Sequence, residues 1–288
     1  MFKQRQSNLL YLKLDYLSQI TCRHEKILLI FSVCFFTGTL FAQEWVDKRL
    51  KNSSRHQEWV QTKAGDRMVH SFITYPEVSK KVPVVIVIHE NKGLNDWARS
   101  VTDQLAEAGY IAIAPDLLSG MAPDGGKTSD FKTSEDATKA IYSLKQEQVT
   151  TDLNSVFDYA KKIPAANGKV VVLGFCWGGS QAFNYAVSQP ALKAALVFYG
   201  TGINDPARAA KIAAPVYAFY GGSDERVNAT IPETEKAMKA AGKKYEYKVY
   251  DAAGHGFFRA GEDQDGTEAN RKARDMAYER MLEILRTI

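Results

Sequence analysis

A cysteine stands between glycines in GFCWGG, residues 174 to 179, directly after the apolar run VVVL. Cys176 takes the place of the serine in a GxSxG nucleophile elbow, the strand-to-helix turn that presents a nucleophile. Gly174 and Gly178 allow the tight backbone turn that such a residue requires. The pattern predicts that Cys176 is a nucleophile. A small buried core cysteine is the alternative that composition alone favours.

Three further side chains could act with this thiol. His255 lies between two glycines, Asp224 follows GGS, and Glu90 ends VVIVIHE. Histidine is the usual general base, and an acid beside it fixes its tautomer, so Cys176, Asp224 and His255 predict a nucleophile, acid and base set in that chain order. Glu225 adjoins Asp224, and aspartate is common in turns. A solvated loop carboxylate explains Glu90 equally well.

The elements that must position these residues are apolar strands alternating with amphipathic helices. Strands are predicted at 69–75, 83–90, 111–118, 169–175, 191–200, 215–222 and 244–251, and helices at 96–110, 134–145, 149–162, from about 179, at 233–243 and from about 268. Continuous apolar strands with intervening helices predict an α/β fold, a mostly parallel central sheet with helices on both faces. We assign one domain to 69–288. Residues 43–68 are polar, and we interpret them as an N-terminal extension.

The candidate residues follow predicted strands, where ligands bind in open parallel sheets. We therefore expect them to meet at the carboxyl edge of the sheet. The backbone amides of Trp177, directly after the nucleophile, and of Glu90 are expected to form an oxyanion hole. His89 is interpreted as structural, because strand alternation points it away from Glu90.

Taken together, GFCWGG, Asp224 in GGSDERV, His255 in GHGFFR and Glu90 in HENKG resemble the dienelactone hydrolase family, also called carboxymethylenebutenolidases. The resemblance extends over roughly residues 60–288. It implies the α/β-hydrolase fold and a Cys-Asp-His hydrolase that opens an enol-lactone or cleaves a small ester through an acyl-enzyme, with no metal and no organic cofactor. A non-catalytic ligand-binding protein or a thiol sensor on the same fold is the alternative.

The resemblance also implies roles around the thiol. Glu90 corresponds to a carboxylate that lies beside a neutral thiol at rest, is displaced by substrate and then takes the thiol proton. Arg259, four residues after the histidine, corresponds to an arginine that binds the substrate carboxylate. Between 116 and 140 the chain has lysines where the family has a second arginine, so dienelactone itself is not assured as the substrate. Phe257 is predicted to form an apolar wall of the substrate site.

The first 42 residues differ from the rest. Basic residues at 23 to 26 precede the apolar run ILLIFSVCFFTGTLFA, which predicts a signal peptide and an exported protein, periplasmic or secreted. An uncleaved anchor and a translation start nearer Glu25 remain alternatives. Removing this leader removes Cys22 and Cys34 and leaves Cys176 as the only thiol. Residues 116–134, rich in glycine, are interpreted as a mobile, lid-like loop.

The charge of the chain limits its partners. Without the leader's five basic and two acidic residues, the 37 basic and 33 acidic residues of the chain fall to 32 and 31. A nearly neutral domain without a basic run argues against a nucleic-acid partner. We expect a small-molecule ester or lactone as the only partner, no membrane contact after leader cleavage, and a monomer.

Overall fold

The structure, a computed structural model, describes residues 45 to 288. The predicted leader lies outside the described residues. Within this part of the chain, none of the helices combines the length and apolar character needed to cross a membrane. The described chain opens with helical residues 45 to 51.

Eight strands form one sheet in the order β1-β2-β4-β3-β5-β6-β7-β8. The strands β1 and β2 are antiparallel to their neighbours, and β3 to β8 run parallel. Their bounds are β1 Gln57–Ala64, β2 Arg67–Thr74, β3 Val82–Ile88, β4 Ile111–Pro115, β5 Ala166–Phe175, β6 Ala195–Phe198, β7 Val216–Gly221 and β8 Tyr245–Tyr250. The predicted α/β-hydrolase fold class, mostly parallel, is confirmed.

Helices follow most of the parallel strands. They are α1 Asp96–Glu107, α2 Ser134–Ser143, α3 Gln146–Lys162, α4 Trp177–Ser188, α5 Pro206–Ala209, α6 Glu225–Asn228, α7 Ile231–Ala240, α8 Phe257–Glu262 and α9 Glu268–Arg286. The predicted helices agree within a few residues, while the four-residue helices α5 and α6 and the six-residue α8 were not predicted. Short helices escape prediction because too few turns exist to show a helical period.

The core lies on both faces of the sheet. In β3, Val84 and Ile86 belong to one buried cluster, and Val85 and Val87 belong to the cluster on the opposite face. Successive strand residues point to opposite faces, so a strand covered on both sides must be apolar throughout. Burying each such side chain contributes about 1.5 to 3 kcal/mol. This burial fixes β3 and β5, whose carboxyl ends carry Glu90 and Cys176.

The polar extension 43–68, for which the sequence indicated no secondary structure, contains a strand. Residues 57–64 form β1, which pairs with β2 along its whole length at the edge of the sheet. Its side chains are mostly half-buried or exposed. An edge strand needs no continuous apolar run, which is why its polar sequence QEWVQTKA did not indicate a strand.

The sequence suggested a mobile lid at 116–134. The structure shows hydrogen bonds within this segment. Two short 3-10 turns, Pro123–Gly125 and Thr128–Asp130, lie within it. The carboxylate of Asp116 accepts hydrogen bonds from the backbone N–H of Thr128 at 2.9 Å and from its hydroxyl at 2.7 Å. The buried Asp116 thus ties the middle of the segment to the end of β4.

Candidate active site

Cys176 lies between β5 and α4 in a backbone conformation that L residues avoid, with φ 55° and ψ −117°. Such a conformation costs of order 1–3 kcal/mol and persists only where the surroundings enforce it. Here the N–H of Cys176 donates to the carbonyl of Phe198 at 3.0 Å, and its own carbonyl accepts from Ser180 at 3.2 Å. The strained turn directs the thiol out of the sheet edge.

Close backbone contacts explain the glycines around this turn. A side chain at Gly178 would meet the carbonyl oxygens of His89 at 2.3 Å and Ile88 at 2.4 Å, and one at Gly174 would meet the carbonyl oxygen of Gly178 at 2.0 Å. No Cβ atom fits at these distances. The glycines therefore allow the loop that carries Glu90 to pass directly over the start of α4.

His255 and Asp224 reach the thiol from two other loops. The Nε2 atom of His255 lies 3.1 Å from the Sγ of Cys176, and its Nδ1 lies 2.5 Å from the Oδ2 of Asp224. The carboxylate of Asp224 is 5% exposed, and its Oδ1 also accepts from the N–H of Val227 at the start of α6. Glu225, the neighbouring acid, is exposed. The structure thus places Asp224, rather than Glu225, against the histidine.

These contacts assign the protons. Because Asp224 only accepts, Nδ1 of His255 carries the hydrogen of the neutral ring, and Nε2 is left as the acceptor facing the thiol. The loop is itself held in place, since the N–H of Gly254 donates to the side chain of Asn270 on α9 at 2.9 Å. The sequence predicted that these three residues meet, and they form one continuous hydrogen-bonded chain.

The pKa of the Cys176 thiol is raised above its ordinary value. Burial is the largest cause, and the negative charge of Glu90 adds to it. The N–H of Trp177 at the start of α4 lowers the pKa but does not outweigh the other two. The resting group is therefore the thiol at neutral pH, which is the state that the resemblance implied.

Glu90 does not lie free in solvent. Its carboxylate is 8% exposed and pairs with Arg259, whose Nε lies 2.8 Å from Oε2. The hydroxyl of Tyr199 donates to Oε1 at 3.4 Å. Charge neutralisation by Arg259 explains how a carboxylate remains buried beside the thiol. The sequence singled out Arg259 for the substrate, and the structure shows it bound to Glu90.

Tyr199 was not among the predicted residues. It follows β6 at the same sheet edge, is wholly buried, and has φ of 39°. Its ring meets the His255 ring edge-on at a centroid distance of 5.2 Å. Burial keeps the pKa of its hydroxyl well above the usual value, so it remains a hydrogen-bond donor. Its position after a buried strand, beside Gly200, was the available signal.

His89 is wholly buried, and its ring forms structural contacts. Its Nδ1 lies 2.7 Å from the Glu90 carbonyl, and its Nε2 accepts from the N–H of Leu117 at 3.3 Å. The ring also stacks on Trp177 at 5.8 Å. Burial lowers the pKa of His89, so the ring stays neutral. His89 thereby fixes the Glu90 backbone against the first residue of α4.

Phe257 is one prediction that the structure contradicts. Its side chain is 0% exposed and packs against Tyr199 and Tyr250. As the first residue of α8, it turns toward the sheet, since an apolar helix face packs on the core. Phe257 cannot form a wall of the substrate site.

An apolar cluster packs against Trp177, the residue that follows Cys176. Half-buried Trp177 packs against the cluster formed by Leu118, Ala137 and Ile141, where Met121 and Phe131 also pack. The lysines of this region are engaged or exposed: Lys127 lies 5.6 Å from the Trp59 ring, and Lys139 lies 3.8 Å from Asp136. Within residues 45–288, no three metal-binding side chains converge on one point.

A model of the family described as "Dienelactone hydrolase family" matches residues 69–288. The chain belongs to this family. Two relatives named "Putative carboxymethylenebutenolidase" are similar to it. The one from Methylorubrum extorquens is 31% identical over 219 residues, covering 70% of this chain and 74% of the relative. The one from Escherichia coli K12 is 34% identical over 204 residues, covering 67% and 74%. This dienelactone hydrolase family member is accordingly a hydrolase of ester or lactone bonds.

Solved structures agree in fold. The crystal structure of the "Putative Dienelactone Hydrolase" from Klebsiella pneumoniae subsp. pneumoniae MGH 78578 superposes with a TM-score of 0.71 at 24% identity. The match covers 82% of this dienelactone hydrolase family member and 100% of the other chain. At that identity the likeness shows the α/β-hydrolase fold.

Proposed function

We propose that this hydrolase cleaves a small carboxylic ester or lactone through an acyl-enzyme on Cys176, with His255 as base and Asp224 as its orienting acid. The single observation that carries the proposal is the hydrogen-bonded chain from Asp224 through His255 to the thiol, at 2.5 Å and 3.1 Å. A nucleophile and base within hydrogen-bond reach, with the base held by a third group, is the geometry of covalent acyl transfer.

In the first half-reaction, Nε2 of His255 takes the thiol proton as Sγ bonds to the carbonyl carbon of the substrate. The resulting imidazolium is stabilised by Asp224. When the carbon–oxygen bond breaks, His255 gives its proton to the leaving oxygen, and a thioester remains on Cys176. In the second half-reaction, His255 deprotonates a water molecule that attacks the thioester, and the proton returns to the sulfur. The products are an acid and an alcohol, or a hydroxy acid from a lactone.

The oxyanion of the tetrahedral intermediate needs backbone donors. Trp177 begins α4, and the first N–H groups of a helix have no acceptor within that helix. Glu90 follows β3 on the other side of the thiol, in the loop that contacts Gly178. We assign the N–H groups of Trp177 and Glu90 to the oxyanion hole. Each such donor typically contributes a factor of about 10² to 10³ in rate.

The pair formed by Glu90 and Arg259 can control whether the Cys176 thiol keeps its proton. A substrate carboxylate that binds Arg259 would compete with Glu90 for the guanidinium and release the Glu90 carboxylate. The released Glu90 can then take the thiol proton, as the family resemblance implies. With Glu90 paired, as in this structure, His255 is the base in contact with the thiol.

The substrate class follows from the charges and apolar surface of the site. Arg259 pairs with Glu90, whose charge acts on the thiol, and Trp177, directly after Cys176, packs on an apolar cluster. We therefore propose small esters and lactones with an apolar acyl group, and we propose that a carboxylate on the substrate is an aid and not a requirement. Export to the periplasm or outside the cell remains part of this proposal, carried by the leader sequence alone.

A substrate panel tests the proposed function. Purified chain is assayed on p-nitrophenyl acetate, p-nitrophenyl butyrate, a neutral lactone and a dienelactone, beside an Arg259→Ala variant. We expect turnover of the neutral esters, and for Arg259→Ala a KM increase of about tenfold or more for the anionic substrate only, because one charged hydrogen bond contributes about 1.5 to 3 kcal/mol. An equal effect on neutral and anionic substrates would remove the carboxylate role of Arg259, and absence of turnover throughout would contradict the proposed function.

A further inference from the structure

A second buried carboxylate, Glu262, lies outside the catalytic set at the end of α8. Its side chain is 5% exposed. Oε2 accepts from the indole N–H of Trp97 at 2.7 Å, and Oε1 accepts from Gln104 at 2.9 Å and from Arg274 at 2.7 Å. None of these contacts takes part in the acyl-transfer steps. A carboxylate with this many partners is nonetheless fixed in place.

The position of Glu262 in the chain links it to the site. Glu262 follows Arg259 by three residues in α8, so the two side chains lie on neighbouring turns of one face. Trp97 is the second residue of α1, which begins just after the loop that carries Glu90. The contact between Glu262 and Trp97 and the contact between Arg259 and Glu90 therefore join the same two segments.

The two contacts differ in strength. Arg259 is 46% exposed, so a substrate anion can reach its guanidinium and take the place of the buried Glu90 carboxylate as its partner. Glu262 is enclosed, and Arg274 is held between the rings of Phe258 at 5.3 Å and Tyr278 at 4.8 Å. Removing one partner of a buried charge pair is strongly unfavourable. The Glu262 contact is thus the permanent link, and the Arg259 contact is the one that can open.

We propose that Glu262 and Trp97 are positioning residues that hold α8 against the start of α1, so that Arg259 meets Glu90 and returns to it after each opening. The proposal rests on the proposed control of the thiol by that pair. Trp97 also reaches the nucleophile strand, because its ring contacts the Phe175 ring edge-on at 5.0 Å, directly before Cys176. The contacts of Glu262 and Trp97 therefore connect α8, which follows His255, with the start of α1 and with the strand that ends before Cys176.

The test is the pH dependence of alkylation of Cys176 by iodoacetamide in the full chain, which needs no turnover. Peptide mass spectrometry separates Cys176 from Cys22 and Cys34. Glu262→Gln keeps the size of the side chain and removes its charge. When Arg259 is less well placed, the Glu90 charge is less neutralised, and we expect the pKa of the thiol to rise by about half a unit or more. Glu246→Gln, an exposed carboxylate that pairs with Arg280, is the control and should shift nothing.

A second variant keeps the proposal testable if Glu262→Gln fails to fold, as a thermal unfolding scan would show. Trp97→Phe removes the indole N–H and keeps an aromatic ring toward Phe175, and the same upward shift is expected. Trp59→Phe on the edge strand is its control, since Trp59 is 42% exposed. The charges of Asp224 and Arg226, which also act on the thiol, remain unchanged in all four variants.

Arg259→Ala tests control of the thiol by Glu90 separately from the positioning role of Glu262 and Trp97. It breaks the pair with Glu90 directly and should raise the thiol pKa at least as far as Glu262→Gln does. If Arg259→Ala shifts the profile while the folded Glu262→Gln and Trp97→Phe variants do not, the positioning role is overturned and control by Glu90 stands. If Arg259→Ala shifts nothing, control of the thiol by this pair is wrong, and the positioning role falls with it. The proposed acyl transfer is tested separately by ester turnover of the native chain, and neither conclusion decides that test.

Discussion

Cys176→Ala is expected to lower kcat/KM for p-nitrophenyl acetate by about 10⁴-fold or more, because the variant has no group that can form the thioester. Loss of a nucleophile in a triad removes nearly all of the rate that the triad provides, and what remains comes from the oxyanion hole and substrate binding. Initial rates of nitrophenolate release measure the effect. Ser188→Ala, at the exposed end of the same helix, is the control and should retain full activity.

Cys176→Ser sharpens the first prediction. The hydroxyl has a much higher pKa than the thiol, and the base that must remove its proton is placed for the half-buried thiol of Cys176, so a loss of several orders of magnitude is expected. Equal activity of the alanine, serine and native proteins would show that the elbow residue does not react. The strained φ of 55° at Cys176 would then lack a chemical reason.

Asp224→Asn is expected to lower kcat by about 10⁴-fold while the protein stays folded. The asparagine Oδ1 can still accept from Val227 and cap α6, so the local structure is preserved. Its NH₂ group, however, would donate to Nδ1 of His255, which forces the ring hydrogen onto Nε2. A ring with that hydrogen cannot take the thiol proton, and loss of tautomer control has this size of effect in triads.

The control for Asp224→Asn is Glu225→Gln, the adjacent exposed acid. We expect Glu225→Gln to leave kcat within about twofold, since a solvated surface charge contributes little. Thermal unfolding of both variants shows whether α6 is intact. A wild-type rate in Asp224→Asn, or a matching loss in Glu225→Gln, would contradict the assignment of the acid.

The sequence was sufficient for the parallel part of the fold. Apolar runs such as VVIVI and VVVL are the consequence of burial on both faces, so β3 and β5 could be predicted to within a few residues. The edge strand β1 could not, because only two of its eight side chains are buried and no apolar run is required. Its pairing depends on β2, and a one-dimensional pattern does not contain that contact.

The candidate site also contains residues that the sequence predicts and contacts that only the fold reveals. Cys176, Asp224 and His255 come after parallel strands, and their meeting could be predicted because topology fixes where the carboxyl ends of such strands lie. Phe257 was misplaced, since the pattern FF does not tell which face of a short helix is buried. Arg259 is 169 residues from Glu90 and Trp97 is 165 residues from Glu262 in the sequence, so only the fold reveals these two contacts.

The most direct test of the central claim is to find the acyl group. The full chain is mixed with p-nitrophenyl acetate, quenched in acid during turnover, digested and analysed by mass spectrometry. We expect an acetyl thioester on the peptide that contains Cys176, and we expect it to form during turnover and to disappear when the substrate is exhausted. Turnover with no acyl group on Cys176, or with the acyl group on another residue, would contradict the account.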